Sequence, residues 1–187
     1  MNYFISDLHL GHDHILSFDN RPFTSIEVND RFIIKQWNDT VNVDDDVYIL
    51  GDVSYHNVTK TIDILNQLNG NKHLIIGNHD HKFLKNKQFR DCFVEVCDYK
   101  ELYLNEKESI VLCHYPIPCF KNHYYGWYHL YGHVHDSFEY KMMQHIKLEM
   151  TELYDMPCKM YNVGCMLDYM NYTPRTLDQI VFSFEHV

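Results

Sequence analysis

The sequence contains no apolar run that approaches the roughly 18 residues needed to cross a bilayer. Residues 1–7 lack the basic and long apolar regions of a signal peptide. The six cysteines form no C-x-x-C pair, and free thiols are typical of the cytosol. We therefore expect a cytoplasmic protein with no membrane partner, although an even number of cysteines leaves disulfides open.

Several enzyme signatures are also missing. There is no P-loop and no dinucleotide fingerprint. A cysteine phosphatase needs an arginine that closes its phosphate loop, and neither Cys92 nor Cys113 has one six positions on. The H-x-H-x-D-H pattern of the metallo-β-lactamase type is only loosely imitated by residues 9–14.

No linker, repeat or charge block divides the chain, so we expect one domain over residues 1–187. The chain has 16 Lys and Arg against 26 Asp and Glu, which gives a net charge of −10. This excess of acidic residues gives no support to broad binding of nucleic acid or anionic membranes. A hydrophobic fraction of 45% excludes a disordered protein.

What the sequence does have is 14 histidines, and many of them follow strand-like segments. Apolar runs at 2–5, 47–50, 73–76, 109–113 and 129–131 predict five strands, and each is followed by polar side chains. A capping box at 24–27 predicts the start of a helix that extends to about Val41, and amphipathic patterns predict helices over 58–68 and 139–154. Because sites in layered α/β folds form outside the carboxyl ends of strands, these polar groups are expected to meet.

The polar groups after the five strands are candidate metal ligands. They are Asp7, His9, Asp52, Asn78, His114, His133 and His135. Carboxylate, imidazole and amide donors suit Mn, Fe, Zn, Ni or Co. Seven side chains exceed the four that one tetrahedral zinc takes, so two ions are indicated, with Asp52 as the bridging carboxylate.

Five motifs occur in a fixed order: D-x-H at 7–9, G-D at 51–52, G-N-H-D at 77–80, a lone His114, and G-H-x-H at 132–135. In this order they resemble the calcineurin-like metallophosphoesterase superfamily. The resemblance extends from residue 3 to residue 136, and the sequences R-P-F at 21–23, H-Y-P at 114–116 and N-V-G at 162–164 resemble its small prokaryotic and phage-type branch.

The resemblance implies an α/β fold, a four-layer sandwich of two mixed β-sheets flanked by helices. It implies that Asp7, His9, Asp52 and His135 hold one divalent ion, and that Asp52, Asn78, His114 and His133 hold the second. Mn is favoured over Fe, Zn, Ni or Co. The catalytic residues would be His79, near the leaving-group oxygen, and Asp80, hydrogen-bonded to His79.

The implied activity is hydrolysis of a phosphate ester, with a phosphodiester favoured, by a hydroxide that bridges the two metals. A nucleotide or a nucleic-acid end is one candidate substrate, and His12 and Arg21 are candidate substrate contacts. Two alternatives remain: a phosphomonoesterase, or a metal-binding interaction module without activity. The sequence indicates neither the physiological substrate nor the oligomeric state.

Overall fold

Two four-stranded sheets carry the fold, and helices flank them. The structure, a computed structural model, describes residues 1–106 and 108–185. The first sheet has the order β1-β2-β3-β4 and consists of β1 (Asn2–Ile5), β2 (Asp46–Ile49), β3 (Asn71–Ile75) and β4 (Glu95–Cys97). The second has the order β5-β6-β7-β8 and consists of β5 (Tyr99–Tyr103), β6 (Ser109–Cys113), β7 (Tyr128–Tyr131) and β8 (Lys159–Asn162).

The helices connect the strands and complete the chain. They are α1 (Asp13–Phe18), α2 (Ile26–Thr40), α3 (Val58–Leu65), α4 (Lys87–Arg90), α5 (Phe138–Glu152) and α6 (Leu177–Glu185), together with a 3₁₀ turn at His123–Tyr125. None of the helices in the described part of the chain has the length and apolar character of a membrane span.

The expectation of two mixed sheets is wrong for the first sheet. Its strands are all parallel, because at least one helix lies between each strand and the next and makes the crossover that parallel pairing needs. The second sheet is mixed, since β5 runs antiparallel to β6 while the other pairs are parallel.

The predicted strands are confirmed within one or two residues, and the predicted helices are confirmed with modest changes at their ends. Helix α2 begins after Ser25, whose side chain accepts a hydrogen bond from the Val28 N–H. Its buried face differs from the apolar pattern, because Asn29 and Asp30 are buried. Asp30 accepts a hydrogen bond from the Gly11 N–H and pairs with the His56 ring. These two contacts link α2 to loops that lead toward the candidate site.

One cluster of buried apolar side chains draws on both sheets, with Phe4, Ile49 and Leu74 from the first and Ile110 and Leu130 from the second. All six cysteines are free. Just beyond the ends of β1 and β8, Ser6 and Gly164 form a parallel bridge, and the Ser6 N–H donates to the Val163 carbonyl at 2.8 Å. This contact brings the loops after the two sheets together at one edge.

Candidate metal centre

All seven candidate ligands lie just past the carboxyl end of a strand. Asp7 and His9 follow β1, Asp52 follows β2, Asn78 follows β3, His114 follows β6, and His133 and His135 follow β7. Contacts among these side chains run across both sheets: the His133 N–H donates to Asp7, and Asn78 Oδ1 lies 3.0 Å from His133 Nδ1. The structure therefore brings all seven together.

The backbone at this edge is unusual. Asp7, His9, Asp52, His133 and His135 all have positive φ, between 48° and 70°. Left-handed backbone is uncommon for residues other than glycine, and such residues cluster at functional sites where the surrounding fold holds them. Five of the seven candidate ligands share this conformation, so tight turns at the strand ends direct them inward.

Two glycines make room for the carboxylates. A Cβ on Gly77 would lie 2.3 Å from Asp52 Oδ1, and a Cβ on Gly132 would lie 2.5 Å from Asp7 Oδ2. Neither distance is tolerable for a real side chain, so both positions require glycine for close approach rather than for an unusual turn. Both carboxylates can therefore approach the centre of the site.

The first group of ligand atoms contains Asp7, His9 and His135, all buried, with their donor atoms within 4.8 Å of one another. His9 Nε2 lies 3.2 Å from His135 Nε2 and 3.5 Å from Asp52 Oδ2. The far side of the His135 ring is fixed by Asp19, whose Oδ1 lies 2.8 Å from Nδ1. Two ring nitrogens and two carboxylates thus converge on one point.

The second group contains Asp7, Asp52 and His114, again within 4.8 Å. The His114 Nδ1–H donates to the Leu50 carbonyl at 2.6 Å, which leaves Nε2 free to bind a cation. That Nε2 lies 3.7 Å from Asp52 Oδ2 and 3.1 Å from Asn78 Oδ1. Asp7 belongs to both groups and Asp52 contacts histidines of both, so two carboxylates rather than one lie between them.

The electrostatics of this cluster suit divalent cations. Asp7 is fully buried and Asp52 is 2% exposed. Burial raises the pKa of Asp52 against the opposing effect of the His114 ring, and the nearby Asp7 carboxylate raises it further. Burial and neighbouring positive groups hold the pKa of His9 far below its usual value, so its ring is neutral, as a metal ligand must be.

The ion pairs found for Asp7 and Asp52 in residues 1–106 and 108–185 are all with histidines. The neutral ring of His9 cannot balance a buried carboxylate, and uncompensated buried charge is costly. Bound divalent cations would supply the missing positive charge, and the nitrogen and oxygen donors fit them.

Comparison with known proteins gives a family but no activity. An uncharacterized protein of Methanocaldococcus jannaschii is 32% identical over 185 residues, which cover 98% of this chain and 90% of that protein. This chain belongs to that protein's family. The Gene 66 proteins of Mycobacterium phages L5 and D29 are 38% and 36% identical over 81 residues, 42% of this chain and 39% of theirs. No protein-family model matches.

Among solved structures, a protein of unknown function from Aquifex aeolicus covers 97% of this chain and 98% of its own, with a TM-score of 0.64 and 23% identity. The two chains share their fold. A nuclease from Pseudomonas putida covers 72% of this chain and 60% of its own, at 20% identity and a TM-score of 0.43. That likeness is too distant to extend the nuclease's activity to this chain.

The structure contradicts the expected hydrogen bond between Asp80 and His79. The Asp80 carboxylate is fully buried and accepts three backbone N–H groups, those of Asp52, Val53 and Gly77, at 2.9 to 3.0 Å. These hydrogen bonds connect the Asp80 carboxylate to the two turns that carry Asp52 and Asn78. Asp80 therefore holds the loops together, and the partner of the His79 ring is a residue that the sequence analysis did not identify.

That partner is Tyr55. Its hydroxyl lies 2.7 Å from His79 Nδ1, and its ring stacks on His12 at 3.7 Å and 4°. His12 lies beside the site, as expected for a substrate contact, but its ring is engaged by this stack. Tyr55 follows Asp52 by three residues, and that spacing was the only sequence signal available.

Arg21 does not reach the site, which contradicts its expected role as a substrate contact. Its side chain is fully buried and donates to the Asp7 and Leu8 carbonyls and to the Asp19 carboxylate at 2.9 to 3.0 Å. A guanidinium with its donors used in this way stabilises the backbone turn of Asp7. Asp19, which links Arg21 to His135, was also missed by sequence reasoning.

Beside the ligands lies an open cleft of about 300 Å³. It is lined by five of the seven candidate ligands and by five neighbouring side chains. The lining residues are His9, His12, His14, Ile15, Phe18, Asp52, Asn78, His79, His133 and His135. Phe18 is 67% exposed, and its ring packs edge-on against His135 at 5.4 Å. The cleft gives a small substrate direct access to the candidate ligands.

Proposed function

We propose that this protein is a metal-dependent phosphoesterase with a binuclear centre, a member of the calcineurin-like metallophosphoesterases, and that it cleaves a phosphodiester. One observation carries the proposal: two adjacent groups of nitrogen and oxygen donors share Asp7, and Asp52 lies close to histidines of both groups, at the edge of one open cleft. We extend the proposal to the four-layer fold of that superfamily and to a single domain, since both sheets contribute to one core.

In this proposal Asp7, His9, Asp52 and His135 would hold the first ion, and Asp52, Asn78, His114 and His133 would hold the second. Asp7 belongs to both groups of donor atoms and could contribute to either ion. Two divalent ions would lower the pKa of a water molecule and neutralise charge on a phosphoryl group. We propose Mn as the metal on the strength of the family resemblance, and the nitrogen and oxygen donors also suit Fe, Zn, Ni or Co.

His79 is the proposed general acid. Its Nε2 lies 3.9 Å from Asp52 Oδ2, and its side chain is 42% exposed at the wall of the cleft. In the proposed step, a water molecule that has lost one proton to solvent forms the new P–O bond through its oxygen, and the P–O bond to the leaving group breaks. Protonated His79 gives its Nε2 proton to the leaving oxygen.

The charge of the cleft favours a diester over a monoester. Among the described residues that line the cleft there is no lysine or arginine. A phosphodiester carries one negative charge, whereas a monoester carries close to two at pH 7 and calls for more positive partners. The exposed ring of Phe18 offers an apolar surface to a second ester group.

Hydrolysis of bis(p-nitrophenyl) phosphate and of p-nitrophenyl phosphate by Mn²⁺-reconstituted protein tests this proposal. We expect turnover of the diester that depends on metal and is lost in Asp52→Asn. Asp44→Asn, at an exposed loop position, is the matched control and should keep full activity. Cleavage of the monoester alone would identify a phosphomonoesterase, and metal binding without turnover of either would identify a silent binding module.

A further inference from the structure

One segment of this acidic protein is strongly basic. Residues 81–90 contain Lys82, Lys85, Lys87 and Arg90, four of the chain's 16 lysines and arginines, and no Asp or Glu. We call these four side chains the basic strip. The segment follows directly after the G-N-H-D motif, so it leaves the candidate metal centre at one end. A net charge of −10 describes the whole chain and does not prevent a local patch of the opposite sign from binding an anion.

The segment is fixed to the body of the protein. Phe83 and Phe89 are buried, and their rings stack with centroids 5.0 Å apart. The Arg90 guanidinium donates to the Leu84 carbonyl, which links α4 to the turns before it. All four side chains of the basic strip are exposed. Apolar side chains therefore anchor the segment, and its cations form a surface that is held in place.

Lys82 connects the basic strip to the cleft. Its ammonium lies 4.2 Å from the centroid of the Tyr55 ring, and the Tyr55 hydroxyl lies 2.7 Å from a ring nitrogen of His79. Burial lowers the pKa of Lys82 and outweighs the opposite effect of the Asp80 and Asp52 carboxylates, which lie within electrostatic reach of it. One phenol ring thus separates the first cation of the strip from the wall of the cleft.

Three cations of the basic strip are free to bind an anion. In the described part of the chain Lys82, Lys85 and Arg90 form no ion pair, whereas Lys87 pairs with Asp91 at 2.6 Å. A guanidinium has five N–H donors, so the bond from Arg90 to a carbonyl leaves others available. Unpaired cations beside a cleft for a phosphodiester favour a ligand with further phosphates outside that cleft.

We propose that the basic strip binds the phosphate backbone of a single nucleic-acid strand whose scissile phosphodiester lies at the metal centre. This inference rests on the proposed function and deepens it by naming the substrate class. Each nucleotide adds one negative phosphate, and the phosphates beside the scissile one would bind Lys82, Lys85 and Arg90. The exposed Phe18 ring in the cleft offers a base a stacking surface, as aromatic side chains do in proteins that bind single strands.

The segment suits a nucleic-acid strand better than an anionic membrane. Surfaces that bind membranes carry exposed aromatic or leucine side chains beside their cations. In residues 81–90 the two phenylalanines are buried and Leu84 is half-buried. A small diester held entirely within the cleft would leave the strip without a ligand.

Neutralising the strip tests the binding. The strip variant combines Lys82→Gln, Lys85→Gln and Arg90→Gln. The matched control combines Arg31→Gln, Lys35→Gln and Lys141→Gln, at exposed positions on α2 and α5, and changes the net charge equally. Fluorescence anisotropy measures binding of a labelled oligothymidylate of about 12 nucleotides, within the site sizes of single-strand binders. All proteins are reconstituted with Mn²⁺ and carry His79→Asn, so that the strand is not consumed.

Three phosphate contacts contribute about −2 to the slope of log affinity against log salt, or about twentyfold between 50 and 200 mM. We expect the strip variant to lose this contribution and to bind about tenfold more weakly at 50 mM, while the control follows the unsubstituted protein. Lys82→Gln alone should reduce the slope by about 0.7. Equal affinities in the strip variant and the control, or binding to phosphatidylserine vesicles but not to the strand, would overturn the inference.

Hydrolysis by proteins that retain His79 separates this inference from the proposed function. The strip variant should raise KM for the oligothymidylate about tenfold more than KM for bis(p-nitrophenyl) phosphate, which has a single phosphate. Strand binding that depends on the strip without any hydrolysis would contradict the proposed activity and support the binding surface. Hydrolysis of bis(p-nitrophenyl) phosphate without strip-dependent strand binding would support the activity and overturn this inference.

Discussion

Asp19 Oδ1 lies 2.8 Å from Nδ1 of His135, while the other oxygen of Asp19 lies 2.9 Å from the Arg21 guanidinium. The carboxylate therefore orients a candidate metal ligand from behind. Burial lowers the pKa of His135, but the hydrogen bond to Asp19 and the nearby carboxylates outweigh it and raise that pKa overall. A carboxylate in this position fixes the ring and makes it a stronger donor.

Asp19→Asn should weaken metal binding. Loss of such a partner costs ~10–100-fold in metal affinity, because the ring is no longer held and its basicity falls. A Mn²⁺ titration of the variant against wild type measures the change, and Asp63→Asn, at an exposed position on α3, is the control. An affinity equal to that of wild type would show that Asp19 has no part in the metal centre.

Arg21→Lys should destabilise the fold without changing substrate binding. The buried guanidinium donates to two carbonyls and one carboxylate, and a lysine cannot reproduce that fork. Leaving buried acceptors unpaired costs ~1–3 kcal/mol each, so the urea midpoint should fall clearly. Unchanged stability together with a raised KM would instead support the substrate contact that the sequence first indicated.

The site could be predicted from the sequence to the extent that it depends on strand ends. The seven candidate ligands were identified because apolar runs end at D-x-H, G-D, G-N-H-D, His114 and G-H-x-H, and the structure brings all of them together. The layered α/β class followed from the same pattern, whereas the parallel pairing of the whole first sheet did not.

What the sequence did not predict are contacts between residues far apart in the chain. Asp19 and His135 are separated by 116 positions, and no periodicity relates them. Asp80 was expected to bind its neighbour His79. Its carboxylate instead accepts its described hydrogen bonds from three buried backbone N–H groups, which need an acceptor. Arg21 was expected to face substrate, but carbonyl groups from the Asp7 turn needed a buried donor.

Phe18→Ala should weaken binding of diesters that carry an aromatic second ester group. The exposed ring packs against His135 at the edge of the cleft, and an aromatic contact contributes ~0.5–1.5 kcal/mol. KM for bis(p-nitrophenyl) phosphate should therefore rise up to about tenfold, whereas KM for methyl p-nitrophenyl phosphate should change little. Phe182→Ala, at a comparably exposed position on α6, is the control. Equal changes for both substrates would exclude this contact.

His129 should make the fold sensitive to acid independently of the metal centre. Burial lowers the pKa of His129 to about 4, although its Nδ1–H donates to the Val111 carbonyl at 3.0 Å. In the neutral ring Nε2 accepts a hydrogen bond from the Ile117 N–H at 3.0 Å. The unfolded chain takes up a proton below pH 6.5 and the folded chain only near pH 4, so stability is lost as the pH falls between these values. The loss from this group is about 3 kcal/mol.

Urea unfolding at pH 7 and pH 4.5 measures this loss. His129→Gln should lose less stability than wild type over that interval, whatever its stability at pH 7. His145→Gln, at an exposed position, should follow wild type. The same loss in His129→Gln as in wild type would assign the acid sensitivity to other groups.

The number of Mn²⁺ ions that the protein binds tests the central claim most directly. Metal-free protein is titrated with Mn²⁺. Calorimetry counts the bound ions, and electron paramagnetic resonance reports whether two of them lie close enough to couple. We predict two coupled ions per chain in wild type, a single uncoupled ion in His114→Ala, and weak binding in Asp52→Asn. Binding of no ion, or binding that neither substitution changes, would contradict the account.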